Sequence, residues 1–183
     1  MTTPQARSFA VVPPPAHAWW IMGVLLLLPA VAVSAMFFVR GESHGPDAFA
    51  GAAIALTVIA LASIACAAGL KRRRVRLEGQ VLHVVAGMFS QHVPADRIDL
   101  ERARIVNLEE RTELRPSIKT FGMSLPGYQA GHFRLRGKLG KAFCLVTDRR
   151  RVLWLPQREG KGELLVSLEH PQALLDALKA TRG

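Results

Sequence analysis

Five cations fall within six residues at Lys71-Arg72-Arg73-Arg74-Val75-Arg76, directly after a long apolar run. Such a cluster attracts anions, and its position says which. Inside a bilayer it would be very costly, so it ends a membrane segment and lies among anionic headgroups. A second cluster, Arg149-Arg150-Arg151, follows Asp148 and is expected at the tip of a hairpin. Both clusters are read as membrane-surface contacts for anionic lipid: Lys71, Arg72, Arg73, Arg74 and Arg76, with Arg149, Arg150 and Arg151. A third group lies in the stretch 108–130, where Arg111, Arg115 and Lys119 accompany Phe121 and Tyr128. This stretch is long for a connection in a compact β domain, which points to function or disorder. Its cations and aromatics suit a surface for a protein or peptide partner. The plainer alternative is that Phe121 and Tyr128 fold over one end of the domain.

Catalytic sets are harder to assemble. The six histidines (His17, His44, His83, His92, His132 and His170) are scattered, and none has a ligand partner three or four residues on. Glu109, Glu110 and Glu113 interleave with Arg111 and Arg115, which suits a neutralised, solvated turn better than acid–base work. Cys66 falls in an apolar helix and Cys144 in a strand, without metal spacing or a plausible mutual bridge. Both read as small buried hydrophobes in a reducing compartment. There is no glycine-rich phosphate loop and no nucleophile elbow. The sequence calls for no enzyme, no metal and no cofactor.

The elements that must position these groups divide the chain in two. Between Arg7 and Arg40 there is no formal charge, and between Arg40 and Lys71 there are only Glu42 and Asp47. Residues 18–39 are read as one membrane span and 48–70 as a second, each long enough for a ~30 Å hydrocarbon core. Trp19 and Trp20 stand where an interfacial belt belongs. Val33-Ser34-Ala35 offers the competing reading of a cleaved signal peptide, but Arg7 is the only cation upstream and lies far from the apolar core. Gly51 and Ala55, Ala62 and Cys66, and Ser63 and Ala67 are small-residue pairs that permit close helix packing. Their partner is the first span or a second copy of the chain. The proline-bearing residues 1–17 are expected to be a disordered tail.

From Leu77 onward seventeen Lys and Arg face twelve Asp and Glu, so much of the net charge of +10 is a membrane flank. A nucleic-acid partner is therefore not expected. The cations after the second span set its side: a plasma (inner) membrane protein, multi-pass, with both termini cytoplasmic.

Residues 71–76 are a juxtamembrane run and 74–183 a cytoplasmic domain in which the apolar period changes to two. Arg74 to Glu78 and Val81 to Ala86 form a hairpin about Gly79-Gln80. Further strands are expected at Phe89–Val93, Leu100–Asn107, His132–Arg136, Ala142–Thr147, Val152–Pro156 and Glu163–Leu168. Leu174, Leu175 and Leu178 mark one face of a closing helix that starts at Pro171. Phe133, Leu135, Phe143, Leu145, Val152 and Trp154 are expected to face inward and meet Leu174 and Leu178. The fold class is α+β, mainly β: a two-helix transmembrane hairpin followed by a β-barrel or sandwich with a C-terminal capping helix.

The stretch Thr120-Phe121-Gly122-Met123-Ser124-Leu125-Pro126-Gly127-Tyr128-Gln129-Ala130-Gly131-His132-Phe133 carries a Pro-Gly-Tyr-x-x-Gly-x-Phe element. With Leu145-Val146-Thr147-Asp148, Val152-Leu153-Trp154 and Ser167 to Leu175, it resembles the bacterial pleckstrin-homology (PH) domain family. Leu168 stands where the family turn has its first proline. The resemblance implies two orthogonal sheets plugged by the last helix, and members commonly carry two membrane helices before that part. It implies an interaction or scaffold module for a protein or peptide partner, with anionic-lipid or small-ligand binding as the alternative. Eukaryotic PH domains bind phosphoinositides through a long basic first loop. The first turn here, Glu78-Gly79-Gln80, is short and acidic, which leaves only a general attraction to anionic lipid.

Overall fold

The computed structural model describes residues 6–39, 46–137, 140–160 and 162–182. Helix α1 spans Ala16–Val39 and α2 spans Pro46–Lys71. Both are long and apolar enough to cross a membrane, and only 6% and 11% of their spans are buried within the protein. A core helix of a water-soluble domain would hide its apolar face. Here Leu25, Leu28, Ile54 and Ile64 are all exposed. Hydroxyls inside these helices are satisfied locally: Ser34, Thr57 and Ser63 donate to the carbonyls of Ala30, Ala53 and Ile59.

The domain that follows is built of two sheets, which do not close into a barrel. The first is an antiparallel meander of β2 (Arg73–Glu78), β3 (Val81–Ala86) and β4 (Phe89–Pro94), with β1 (Arg7–Phe9) added beside β2. Val75, Leu77, Leu82, Val84 and Val93 alternate inward, as a half-buried sheet requires. The second sheet contains β5 (Arg104–Val106), β6 (Pro116–Leu125), β7 (Tyr128–Leu135), β8 (Lys141–Val146), β9 (Val152–Pro156) and β10 (Glu163–Ser167). Its strand order is β5-β9-β10-β8-β7-β6. Helix α3 (Pro171–Arg182) places Leu174, Leu175 and Leu178 against the first core.

Four expectations are corrected. Residues 7–12 are not disordered. Arg7, Ser8 and Phe9 pair with Leu77, Arg76 and Val75. Ala10 and Val12 continue the chain to the end of β10: the Glu169 amide donates to Ala10 and the Val12 amide to Ser167. The Thr147 hydroxyl donates to the Val12 carbonyl at 2.7 Å. The segment is too short to fold alone, but it finds an open edge on β2.

Residues 108–130 are not one long connection. The middle of that stretch is the ten-residue strand β6, the first arm of a hairpin with β7. Its alternation is broken by register shifts between Pro116 and Ile118 and between Lys119 and Phe121, which hid it from a strict period of two.

Arg149–Arg151 is not a hairpin tip. β10 lies between β8 and β9, parallel to one and antiparallel to the other, so the segment is a crossover connection.

Finally, the inward residues serve two cores. Phe143 and Leu145 join Leu174 and Leu178, whereas Phe133, Leu135, Val152 and Trp154 pack with Leu108 and Leu114 on the opposite face. A sheet covered on both sides calls for the continuous apolar runs seen in β8, β9 and β10.

Candidate functional site

Strand direction decides which end of the domain meets the helices. β2 leaves the end of α2, β3 returns, and the β3–β4 turn therefore comes back to the helix. The Gly87 amide donates to the Arg72 carbonyl at 2.8 Å. A Cβ on Gly87 would lie 3.2 Å from the Gly69 carbonyl oxygen, and its φ of +69° also favours glycine. The β6–β7 turn reaches the same end beside α1. At Gly127, with φ +77°, a Cβ would meet the Pro15 ring at 2.5 Å and the His17 imidazole at 2.8 Å. Met123 lies close to Gly69. Ala18 and Met22 of α1 and Leu70 of α2 are buried in the first core of the domain. The domain is thus seated on the helix ends through shared packing.

This helix-proximal end gathers much of the predicted chemistry. A cleft of ≈ 410 Å³ is lined by Pro15 and His17, by Gly127 and Tyr128, and by Val146 to Arg149. Register brings Arg149 there: Val146 pairs with Gln129, one residue beyond Tyr128. Arg149, Arg150 and Arg151 are exposed, and Arg150 lies 3.9 Å from Glu109.

The basic run is split three ways. Lys71 and Arg72 are exposed at the end of α2. Arg74 and Arg76 follow the outer face of the first sheet, Arg76 roughly 13 Å beyond Arg72 at the strand rise. Arg73 turns inward, and its Nη1 is buried without a hydrogen-bond partner. Burial lowers the Arg73 pKa, while the nearby Tyr128 phenol raises it.

Tyr128 is corrected as a partner-surface residue: it is 1% exposed and its hydroxyl is buried without a partner. Burial pushes its phenol above the ordinary value, against the pull of the Arg73 charge. Arg115 is likewise a structural residue. Its guanidinium donates to the carbonyls of Leu108 and Glu109, closing the turn before β6. Arg111 is exposed and faces Glu113 at 3.7 Å. Lys119 is exposed on β6, and so is Phe121, whose ring meets Phe89 edge-on at 5.0 Å.

Two histidines far apart in sequence are brought together. His83 and His92 oppose each other across β3 and β4, with Nδ1 atoms 2.6 Å apart and His83 Nε2 3.8 Å from Glu78. Their equal distance from the Gly87-Met88 turn was the available signal. Among the described residues no three His, Cys, Asp or Glu side chains come together as a metal site. Cys144 is buried in the second core, where burial first and Glu163 second push its thiol well above the usual range.

No curated protein and no solved structure matches the chain. The family model described as bacterial PH domain matches residues 73–181, well over half of the chain, running from β2 through α3. With two candidate membrane helices before it, two sheets and a closing helix, the chain belongs to the bacterial PH domain family.

Proposed function

We propose that this chain is a membrane-seated interaction module. Helices α1 and α2 cross the inner membrane as a hairpin with both termini cytoplasmic, and the PH domain engages a protein or peptide partner at the inner face. The observation that carries the reading is the shared core of Ala18, Met22 and Leu70 with the domain. A domain seated in this way presents a surface of fixed orientation, which lowers the ordering cost of binding. Lys71 at the end of α2 and the four arginines just beyond it, against Arg40 alone in the connection between α1 and α2, support the cytoplasmic side.

β6 supports a partner by strand addition. It is the last strand of its sheet, ten residues long, with most of its side chains exposed. Lys119 supplies a charge there, and Ile118, 54% exposed, an apolar contact. The test places a photo-crosslinking side chain at Ile118 or Gln80 of the whole protein in native membranes. A discrete protein adduct from position 118 and none from the distant β2–β3 turn is expected. Equal adducts at both positions, or none at 118, overturn strand addition.

A second reading is supported by two groups of exposed cations, Lys71 and Arg72 at the end of α2 and Arg149 to Arg151, of which Arg149 lines the His17 cleft. On that reading the ligand is anionic lipid. A crosslinker at Arg150 would then capture lipid rather than protein. Serine at Arg149, Arg150 and Arg151 would reduce lipid capture elsewhere at this end.

A further inference from the structure

We infer that Met88 and Phe121 form an apolar foot that inserts into the interface of an anionic phospholipid leaflet beside α2. The inference rests on the reading that α1 and α2 cross the membrane, and it adds an apolar contact to the charge contacts already described.

Outside the two long helices, the exposed large hydrophobic side chains among the described residues are Met88, Ile105, Ile118 and Phe121. Two of them are brought to one place by the fold. Met88 is the tip of the β3–β4 turn, 75% exposed, and its neighbour Gly87 is hydrogen-bonded to Arg72 at the end of α2. Phe121 is 67% exposed and stacks edge-on against Phe89, the residue after Met88. Isolated exposed hydrophobes need no explanation, but Phe89 links the two: it follows Met88 in the chain and its ring meets Phe121, so together they form a patch.

Depth follows from the same contacts. The core of the domain extends to Met22, beyond the Trp19-Trp20 pair that marks the interfacial belt at the start of α1. At the end of α2 it includes Leu70, the neighbour of Gly69, which Gly87 abuts. β3 points its turn at this boundary because β2 left from it. Met88 therefore lies at the level where hydrocarbon gives way to headgroups. The surrounding charge suits an anionic leaflet: exposed Lys71 and Arg72 stand at the helix end, and Lys119 two residues before Phe121. Ile118 lies three residues further from the β6–β7 turn, roughly 10 Å along the strand, and is left to the aqueous side.

The experiment uses the whole protein with Cys66→Ala, reconstituted in phosphatidylcholine vesicles containing phosphatidylglycerol. Cys144 is fully buried and stays unlabelled. Single cysteines at Met88, Phe121, Gln80 and Val24 carry an environment-sensitive fluorophore. Nitroxide lipids quench it from near the headgroup or from deep in the acyl chain. Probes at 88 and 121 are expected to shift to the blue and to be quenched severalfold more than the probe at 80. Shallow nitroxides should act on them more strongly than deep ones, and the shift should persist at high salt because apolar burial is not screened.

If 88 and 121 behave like 80 while 24 is quenched by the nitroxide lipids, the foot is overturned and the spans stand. If 24 is not quenched, the spanning reading falls and the foot with it. A blue shift without lipid quenching identifies a protein cover, such as a second copy, and overturns the proposal. A shift lost at high salt also overturns it, because it assigns the contact to the cations.

Discussion

The Tyr128 phenol, without a hydrogen-bond partner, lies beneath the Gly87 turn and close to Arg73, whose buried Nη1 also has none. Tyr128 is the only tyrosine in the chain, so its ionisation can be followed by tyrosinate absorbance without interference. Burial raises its pKa from 10.0, and the native titration should lie above that of the protein in denaturant. The folded state resists ionisation and the unfolded state does not. This part of the stability is therefore fully present below pH 10 and lost as pH rises past it. Coincident native and denatured titrations would mean that the ring is solvated. Tyr128→Phe removes a buried donor that nothing accepts, so stability should be unchanged or raised by up to about 1–2 kcal/mol. A loss of more than about 1 kcal/mol would reveal a bridging water or another partner for the hydroxyl.

The elements share their work unevenly. β1 has three residues, yet it extends the first sheet and, through Ala10 and Val12, ties that sheet to the end of β10. Ser167 reinforces the junction, donating to the Asp148 carbonyl at 2.8 Å while receiving the Thr147 amide at 3.2 Å. Each net hydrogen bond contributes about 0.5–1.5 kcal/mol, and Phe9 and Val11 add partial burial. Deleting residues 1–12 should therefore lower stability by roughly 2–4 kcal/mol in a melting experiment on the whole remaining chain. An unchanged midpoint would show that β1 does not hold in solution. At the other end of the chain, Leu178 on α3 is fully buried in the first core. Leu178→Asp places an unpaired charge there and should cost about 3–5 kcal/mol, read as a lowered melting temperature. A soluble domain cut at Leu77 would lose most of β2 and the core residue Val75, so binding studies need the intact chain.

At the scale of the whole molecule, β1 and the domain lie on one side of the helical hairpin because β1 pairs with β2. A reporter fused before Met1 and one fused after Gly183 should therefore both behave as cytoplasmic. Activity of alkaline phosphatase at either end would sink the proposed orientation. Replacing Lys71, Arg72, Arg73 and Arg74 with neutral residues should loosen that orientation and yield a mixed population of reporters. Lys71 and Arg72 should dominate the effect of the run on lipid. Arg76 stands more than a Debye length of ~8 Å along β2 from the helix end, and Arg73 is turned into the seam.

Much of this architecture is legible in the residues themselves. The two long helices follow from apolar runs, the β2–β3 hairpin from alternation about Gly79-Gln80, and α3 from the spacing of Leu174, Leu175 and Leu178. These are local signals: length, period and turn chemistry act within a few residues. Other features depend on partners distant in sequence. Nothing near Arg7 says that Leu77 will pair with it, and no local pattern inserts β10 between β8 and β9. β6 escaped detection because two register shifts break its period and its edge position leaves it exposed. The candidate surface was legible only in part. Arg149 to Arg151 and Phe121 stand out by type, but the burial of Tyr128 and the grouping of Met88 with Phe121 are set by strand direction. Residue type limits what a side chain can do; the long-range pairing of strands, decided by the total burial of two cores, determines where it stands and what it meets.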